Sequence, residues 1–545
     1  MTLLNFKKLK IPIFIFLSFI VFLQGIFLIP PLDRDESRFA AASKNMIENK
    51  EFIDIELEGV KRYKKPVGIY WAQVISNKVL GEPPYDNISI YRLPSLIGVI
   101  LSIVLVYYVT EKKFNKKTAN YASLFLITSF LLISEIHQAK SDGLLFLCIC
   151  ICNLILLHSL QTNNNKDRIN LKSKFAKIFW VFLGIGTLIK GPIILLFVGV
   201  PLLSFSLISQ SKFLIKSLHN FSGYIFFLII TIPWFLLITI KSNGVFWYEA
   251  VGHDLLKKVT SGQESHGFYP GYYTLLLFIL FWPACFFIFG WLKNFYRTRH
   301  ERIDQVTLFL LCWFLPCFVI YELIPTKLPH YVMPVYPALS ILLSDFICNK
   351  KKSEDFLMKK RFIPFILIFP IIIICLFPIA VYKYSILDFE IFFLIVPLIL
   401  ILVFLIKNIL SRNLGKFLIL CVFFQLTVYS GIVYYLVPKL DNFWISSKIN
   451  NIIENRTFSE KSIFHSGFNE PSLVFLLNHK ANRISPEEMA KKFNNEEDCL
   501  FVMTKKVHEN FYSLIDKNKQ INLISEFNGF NYSQGRYINF KILSN

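Results

Sequence analysis

Two adjacent carboxylates, Asp35 and Glu36, follow the first apolar segment of the chain almost directly. That position puts them at the membrane surface, where a carboxylate is able to take a proton from a substrate or orient it. Arg38 lies one helical turn beyond Asp35. The alternative reading stays open: residues 40–47 resemble a short interfacial helix, and the two carboxylates then only cap and solvate it.

A basic pair, Lys64 and Lys65, precedes Pro66 and the aromatic residues Tyr70 and Trp71. The outer leaflet lacks the anionic lipids that hold basic residues at the inner surface. A lysine pair on the outer side therefore calls for another partner. A phosphate ligand supplies one.

Two further outer segments carry polar chemistry. Asp142 follows Lys140 at the mouth of an apolar span and adds a carboxylate on the same side as Asp35. Residues 325–337 contain four prolines around Lys327 and Tyr331. Unwound backbone of this kind is tolerated at membrane depth where it lines a cavity. The segment is therefore predicted to border a binding site.

The elements that position these residues are membrane-spanning helices. Of the 545 residues, 54% are hydrophobic and only 17% are charged, and the mean hydropathy is +0.50. The apolar residues fall in blocks long enough to cross a bilayer, about 20 residues each. They predict a mainly α-helical membrane protein with about 13 transmembrane helices. The predicted spans cover 11–30, 91–110, 119–136, 142–160, 175–189, 192–209, 221–240, 271–292, 305–323, 331–348, 362–382, 389–406 and 417–437.

The formal net charge of +21 follows the loops rather than a single face. Lys and Arg concentrate in alternate loops, which predicts a cytoplasmic N-terminus and a C-terminus on the outer, periplasmic side of a bacterial inner membrane. With this placement and no nucleic-acid motif, we expect no nucleic-acid partner. Membrane lipids surround the chain, and we expect a monomer.

The predicted division has two parts. Residues 1–437 form a multi-pass domain that includes outer loops at 31–90 and 241–270. Residues 438–545 alternate short apolar runs with polar stretches and predict a small α/β domain outside the membrane.

These motifs, in this order, resemble a known family. The segments 35–40, 65–71, 140–142, 190–192 and 327–334 are similar to those of the bacterial aminoarabinose transferases that modify lipid A. That family lies within the larger group of C-type glycosyltransferases, together with the protein O-mannosyltransferases. The acidic motif is common to the whole group, whereas the Lys-Leu-Pro-x-Tyr segment is more specific to the family.

The resemblance implies a role for each matched position. Asp35, with Glu36 beside it, looks like the acidic catalytic motif that engages the acceptor, and Asp142 looks like the second carboxylate of the cavity. Lys65 looks like the residue that binds the donor phosphate. Lys327 and Tyr331 look like the loop that closes on the donor and binds its phosphate, and Arg38 is implied to orient the acidic pair or to contact the phosphate.

One departure concerns zinc. Family members of known structure carry a Glu just before the conserved lysine, and this Glu helps to bind zinc together with a His from the later outer loop. Here that position is Lys64, which is unable to replace a carboxylate ligand. We therefore expect either no such zinc site or one rebuilt from other residues, with His253 and His266 as weak metal candidates only, and the sequence indicates no other cofactor.

The implied reaction moves a sugar, 4-amino-4-deoxy-L-arabinose or a related one, from an undecaprenyl phosphate carrier to lipid A or lipopolysaccharide with inversion. No nucleotide is needed, and no phosphate-cradling glycine-rich loop is present in the sequence. Transfer to a protein hydroxyl, as in the protein O-mannosyltransferases, remains an alternative. A transporter or flippase of lipid-linked sugars is the alternative from another class; its usual two related halves are not evident.

Overall fold

The computed structural model describes residues 13–160, 173–260, 267–298, 300, 303–349, 363–384, 388–411, 413–454, 462–477, 481–496, 499–516 and 521–545. Within the first half of these residues the α-helices are α1 (Ile13–Leu23), α2 (Asp35–Asn49), α3 (Gly68–Leu80), α4 (Ile88–Lys113), α5 (Lys116–Ile127), α6 (Phe130–Ile136), α7 (Asp142–Ser159), α8 (Ser173–Lys190), α9 (Ile193–Ile208), α10 (Phe213–Ser217), α11 (Phe221–Lys241), α12 (Val245–Trp247) and α13 (Lys257–Thr260).

The second half contains α14 (Tyr272–Leu280), α15 (Phe286–Arg297), α16 (Gln305–Leu323), α17 (Tyr336–Cys348), α18 (Ile363–Tyr384), α19 (Phe392–Leu410), α20 (Leu414–Ser430), α21 (Val437–Lys439), α22 (Ile445–Glu454), α23 (Pro471–Leu477), α24 (Pro486–Asn495) and α25 (Lys505–Leu514). Two π-helical segments, Tyr248–Leu256 and Gly431–Leu436, and three 3₁₀ segments, Pro329–Val335, Phe389–Ile391 and Asp441–Phe443, join them. The strands are β1 (Glu56–Leu57), β2 (Val60–Lys61), β3 (Ser462–Ser466), β4 (Ala481–Arg483), β5 (Cys499–Thr504), β6 (Asn522–Asn531) and β7 (Arg536–Ser544).

Among the described residues, eight helices are long and apolar enough to cross a bilayer, and the bent pair of α5 and α6 makes a ninth. This confirms a multi-pass helical membrane protein. Each of the thirteen predicted spans overlaps a helix, but several fall short of a full crossing. The described part of α1 has 11 residues, α8 carries three lysines, α9 has 16 residues, and a turn at 281–285 separates α14 from α15.

Helices α4 and α7 approach each other closely at two glycines. A Cβ atom added at Gly98 would lie 2.3 Å from the carbonyl oxygen of Gly143, and one added at Gly143 would lie 2.7 Å from the Cα of Ser95. Only glycine permits this separation of the two backbones. The contact also brings the hydroxyl of Ser95 to 2.9 Å from the carbonyl oxygen of Lys140, at the start of α7. The packing of two buried helices therefore fixes the entry to the Asp142 helix.

The predicted outer loop at 31–90 is structured. It contains α2, the hairpin of β1 and β2, and α3, and the region at 241–270 contains the π-helical segment Tyr248–Leu256. The tail has a five-stranded sheet in the order β4-β3-β5-β7-β6, in which β3 runs parallel to β4 and β5 while β7 is antiparallel to β5 and β6. This α/β architecture is the one that the alternating apolar runs predicted.

The tail packs on α2. The ammonium of Lys44 donates to the carbonyl oxygen of Phe475 at 3.0 Å, and the Phe475 ring meets the Tyr91 ring edge-on at 5.3 Å between centroids. Both Phe475 and Tyr91 are fully buried. The tail, the α2 loop and the end of the helical bundle therefore share one interface.

Candidate active site

A cavity of about 960 Å³ opens between the helical bundle, the α2 loop and the tail. Helix α2 contributes Asp35 and Arg38, the segment before α3 contributes Lys65, and α7 begins at Asp142 on the cavity wall. The 3₁₀ segment Pro329–Val335 adds Tyr331. Five residues predicted from sequence motifs thus line one cavity, although they come from four separate stretches of chain.

The cavity is strongly cationic. Among the described residues that line it, eight are Lys or Arg and three are Asp. Each of the three carboxylates already faces at least one of these cations, so the surplus is positive. A surplus of fixed cations in a partly dehydrated site favours an anionic ligand, because low dielectric strengthens the attraction. The eight cations are Arg34, Arg38, Arg62, Lys64, Lys65, Lys140, Lys190 and Lys258.

Asp35 is a carboxylate surrounded by positive charge. One oxygen, Oδ1, lies 3.3 Å from the Nη1 of Arg38. The surrounding protein would by itself raise the pKa of Asp35, but Lys140, Arg38 and Arg62 together lower the pKa below its usual value. Asp35 is therefore ionised at neutral pH, in the form that accepts a proton or a hydrogen bond.

Lys65 is held at the cavity by Asp254, which also pairs with the ammonium of Lys258 at 2.7 Å. Burial lowers the pKa of Lys65 to about 8, an effect that the charge of Asp254 partly opposes. The pKa of Asp254 is also lowered: burial would raise it, but Lys65 and Lys258 outweigh that effect. The ammonium groups of Lys65 and Lys258 thus share a single carboxylate.

Asp142 belongs to a second buried cluster of charges. Its Oδ1 accepts from the ammonium of Lys190 at 2.5 Å, and its Oδ2 lies 3.8 Å from the Nε2 of His330. The Nδ1 of the same imidazole lies 3.7 Å from Glu135, which in turn pairs with Lys140 at 3.1 Å. The ring of Tyr331 lies beside this cluster, 5.6 Å from the ammonium of Lys190. Alternating charges of this kind hold Asp142 in one orientation.

Apolar side chains also line the cavity. They come from α7, the start of α9, the end of α16 and the 3₁₀ segment. They include Leu145, Pro192, Ile193, Leu196, Phe197, Tyr321, Ile324 and Pro334. The same cavity therefore combines a surplus of cations with aliphatic and aromatic side chains, which suits a ligand with an anionic head and an apolar tail.

The structure does not bring Glu36 into this cavity. Its carboxylate forms a two-pronged ion pair with the guanidinium of Arg92, at 2.8 and 2.9 Å, and both side chains are at most 1% exposed. The backbone N–H groups of Leu32 and Ala139 donate to the same carboxylate at 2.9 and 2.8 Å. We correct the expectation for Glu36 accordingly: it ties α2 to α4 and does not line the cavity.

Lys327 does not line the cavity either, although its neighbours Thr326 and Leu328 do. Its ammonium donates to the carbonyl oxygens of Tyr321 and Glu322 at 2.8 and 2.5 Å, and it lies 5.3 Å from the centre of the Tyr273 ring. Lysine at the end of a helix satisfies carbonyl groups that have no intrahelical partner. The expectation that Lys327 binds the donor phosphate is corrected to a capping role at the end of α16.

Neither metal candidate is supported by its position. His253 lies on the π-helical segment, where its Nδ1 contacts the ammonium of Lys257 at 2.8 Å, and it does not line the cavity. His266 lies outside the described residues. In the part of the chain that the structure describes, no group of three or more His, Cys, Asp and Glu side chains is arranged to hold a metal. The absence of zinc stays a prediction.

The motifs missed several residues of the site. Asp254 lies in the segment 241–270, which shows no recognisable pattern, and Tyr532 and Ser533 reach the cavity from the far end of the chain. Lys190 and His330 stand inside two segments that resemble the family, 190–192 and 327–334, beside Gly191-Pro192 and among the prolines of 325–337, but neither was given a role. A basic residue beside a proline turn at the end of an apolar span is the one sequence signal that would have indicated Lys190 and His330 as site residues.

Comparisons with known proteins agree with this geometry. A family model described as dolichyl-phosphate-mannose-protein mannosyltransferase matches residues 64–236. A Proteus mirabilis protein, named undecaprenyl phosphate-alpha-4-amino-4-deoxy-L-arabinose arabinosyl transferase 2, is 24% identical over 317 residues. That alignment covers 57% of this chain and 54% of the relative, so the chain spans about half the length of the curated relative it matches.

Two solved structures share the fold. The crystal structure of ArnT from Cupriavidus metallidurans bound to undecaprenyl phosphate superposes with a TM-score of 0.74 and 18% identity, covering 97% of each chain. The archaeal oligosaccharyltransferase AglB from Archaeoglobus fulgidus gives a TM-score of 0.52 at 11% identity, covering 96% of this chain and 73% of that one.

Fold and cavity together define a class, the multi-pass membrane proteins with the fold of these glycosyltransferases. Within that class, the motif-based resemblance to the aminoarabinose transferases is confirmed by sequence similarity to the Proteus mirabilis protein and by fold similarity to ArnT.

Proposed function

We propose that this protein is an inverting glycosyltransferase that uses a polyprenyl phosphate-linked sugar as its donor. The observation that carries the proposal is one cavity whose lining combines apolar side chains with a cluster of cations beside a carboxylate. A polyprenyl phosphate has the matching form, a long hydrocarbon chain that ends in an anion.

The donor phosphate would bind at Lys65. In the structure this ammonium pairs with Asp254. The same carboxylate also pairs with Lys258, so the charge of the two lysines is only partly neutralised. A phosphate placed between Lys65 and Lys258 would gain charge-assisted hydrogen bonds from both. The prenyl chain would then run along Ile193, Leu196 and the neighbouring apolar wall.

Reaction at the sugar needs one bond to form while another breaks. An oxygen of the acceptor attacks the anomeric carbon, and the bond from that carbon to the carrier phosphate breaks, with its electron pair left on the phosphate oxygen. Lys65 stabilises this developing charge. Attack from the side opposite the phosphate inverts the configuration at the anomeric carbon.

Asp35 would act on the acceptor. If the acceptor is a hydroxyl, Asp35 is the general base that receives its proton. If the acceptor is a phosphate, which is already ionised, no base is needed and Asp35 with Arg38 positions it. We propose that Asp142 keeps Lys190 and His330 in place and that Tyr331 borders the bound sugar.

The proposed topology follows the loop charges. Thirteen spans would carry the chain from a cytoplasmic N-terminus to a periplasmic C-terminus. The multi-pass part, 1–437, would carry the cavity at its periplasmic end, and 438–545 would form the periplasmic α/β domain. The protein would then act on the outer face of the inner membrane as a monomer.

Sugar and acceptor are proposed from the relatives. The name of the Proteus mirabilis protein points to 4-amino-4-deoxy-L-arabinose carried on undecaprenyl phosphate. We propose this sugar or a close analogue, with lipid A or lipopolysaccharide as the acceptor. The family model that matches residues 64–236 favours a second candidate acceptor, a protein hydroxyl.

The test is a comparison of envelope sugars in three strains: wild type, a deletion, and the deletion carrying Asp35→Asn. Mass spectra of lipid A and of the lipopolysaccharide core should lose one sugar mass in the deletion, and Asp35→Asn should not restore it. If lipid masses are unchanged while a glycoprotein loses its sugar, the protein acceptor is correct. If the protein only moves the lipid-linked sugar from one side of the membrane to the other and transfers no sugar, it is a flippase and the proposal fails.

A further inference from the structure

The C-terminal domain contributes directly to the cavity. Tyr532 and Ser533, in the turn between β6 and β7, line it alongside the catalytic helix α2. The hydroxyl of Tyr532 accepts from the N–H of Asp33 at 2.5 Å, and the carbonyl oxygen of Ser533 accepts from the Nη2 of Arg34 at 3.2 Å. The turn therefore grips the two residues that precede Asp35.

A second, smaller cleft of about 160 Å³ adjoins the cavity at this turn. The cleft is small and lined mainly by polar side chains, so it suits a polar group no larger than a single sugar ring. Arg34 and Arg38 line both the cleft and the cavity, which places the cleft one side chain away from Asp35. Its other polar side chains come from the C-terminal domain: Asn469, Glu470, Asn531 and Gln534.

Arg34 is held in an unusual position. Its φ of 69° lies in the left-handed region that non-glycine residues rarely adopt, at a cost of about 1–3 kcal/mol. Glu470 lies 3.8 Å from its Nε, and Glu470 is itself 7% exposed and accepts from the amide of Asn531 at 3.3 Å. The C-terminal domain therefore supplies the contacts that keep this guanidinium between the cleft and the cavity.

The polar groups of the cleft define a ligand. Two guanidinium groups suit an anionic substituent, whereas amide groups and a buried carboxylate suit hydroxyl or amino groups. A sugar ring that carries a phosphate or another acidic group combines both. The donor carrier, with its hydrocarbon chain, fits the apolar side of the large cavity instead.

From this geometry we infer that the cleft binds a polar, negatively charged sugar ring of the acceptor, and that Arg34 is a positioning residue held in place by Glu470 of the C-terminal domain. This rests on the glycosyltransferase function proposed above. The C-terminal domain is then one wall of the acceptor site rather than a separate module.

The test measures steady-state kinetics of the purified full-length protein in detergent, with a polyprenyl phosphate-linked sugar and purified lipid A. Arg34→Gln and Glu470→Gln should each raise the KM for lipid A about tenfold and leave the KM for the donor within twofold. Arg34→Lys, which keeps the charge, should recover part of the loss. Arg536→Gln removes a cation from the same hairpin outside the cleft and should match the wild type.

The outcomes separate the two proposals. If the wild type transfers sugar and both variants keep the wild-type KM for lipid A, the acceptor cleft is wrong and the glycosyltransferase function stands. An equal rise in both KM values would mean a general distortion of the site and would also overturn the cleft. If the wild type transfers no sugar from the lipid carrier, the proposed function fails, and the cleft with it.

Discussion

At the scale of single residues, Asp35 and Glu36 are adjacent in sequence but lie in different environments. Successive side chains on a helix point about 100° apart, so adjacent residues do not share a face. Asp35 faces the cavity and its cations, whereas Glu36 faces Arg92 inside the bundle. A substitution at each position should therefore fail in a different way.

Asp35→Asn should reduce transfer about 10²–10⁴-fold, the usual contribution of a general base, while the unfolding temperature stays near that of the wild type. Glu36→Gln should lower stability by about 3–5 kcal/mol, because it leaves a buried guanidinium without its counter-ion. Thermal unfolding in detergent and transfer rates on the same preparations check both. A Glu36→Gln protein with wild-type stability and no activity would restore Glu36 to the catalytic group.

The pKa of Lys65 leads to a prediction for how transfer activity changes at alkaline pH. Its pKa is lowered to about 8, so its positive charge is complete below that pH and is lost as the pH rises through it. The kcat/KM for the donor should therefore fall as the pH rises through about 8. Lys65→Arg should remove this fall, because a guanidinium keeps its charge. The same fall in the Arg variant would assign it to another group.

At the scale of elements, Asp142 depends on the close approach of α4 and α7. Gly98→Ala would place a Cβ 2.3 Å from a backbone oxygen that has no room to move aside. We expect a loss of about 1–3 kcal/mol, the usual cost of overpacking, together with reduced transfer as Asp142 shifts. Gly199→Ala is the matched control, because a Cβ there meets nothing within 4 Å. Equal behaviour of the two variants in thermal unfolding and transfer assays would contradict this account.

The helices and loops also show which features were predictable from the sequence. Apolar length located a helix at each predicted span, and motifs located Asp35, Arg38, Lys65, Asp142 and Tyr331 because each lies next to a span end or a proline turn. The same reasoning misassigned Glu36 and Lys327. Their partners are the Arg92 side chain, 56 residues away from Glu36, and two carbonyl groups at the end of α16. The partner of Glu36 is remote in sequence and leaves no local signal. The partners of Lys327 lie only five and six residues before it, but they follow from where α16 ends, and apolar length does not fix that end to a single residue.

At the scale of the whole molecule, the tail and the helical bundle meet at the residues that precede α2. Asp33 lies in this interface, hydrogen-bonded to the hydroxyl of Ser472, with Glu470, Tyr532 and Arg34 around it. Burial raises the pKa of Asp33 to about 6, and Glu470 adds to the rise. The interface therefore favours the protonated form of this carboxyl.

The pKa of the Asp33 carboxyl is about 6 in the folded protein and close to its usual value of 3.8 in the unfolded chain. Between about 4 and 6 the folded state holds a proton that the unfolded state has released, so stability falls as the pH rises through this range. Asp33→Asn removes the charge at the same size. Its unfolding temperature should exceed that of the wild type at pH 7.5, and the difference should shrink at pH 5. A constant difference in a pH series of thermal unfolding would contradict the assignment.

Tyr532 and Ser533 could not have been predicted from the sequence, because only the folded tail brings residues near the C-terminus to Asp33 and Arg34. The alternating apolar runs predicted the α/β architecture of the tail but not the surface that it presents. Which turn reaches the cavity depends on how the C-terminal domain packs against the helical bundle. That packing is set by the shapes of the two surfaces and by their buried polar pairs, not by the periodicity of apolar residues.

The most direct test of the central claim is binding of undecaprenyl phosphate to the purified protein by native mass spectrometry. Lys65→Gln is compared with Lys78→Gln, which removes a lysine from the same outer region but outside the cavity. One charge-assisted hydrogen bond contributes about 1.5–3 kcal/mol, so Lys65→Gln should weaken binding tenfold or more while Lys78→Gln binds as the wild type does. Equal binding by Lys65→Gln, or equal binding of undecaprenol without its phosphate, would show that the cavity does not recognise the lipid carrier through its phosphate.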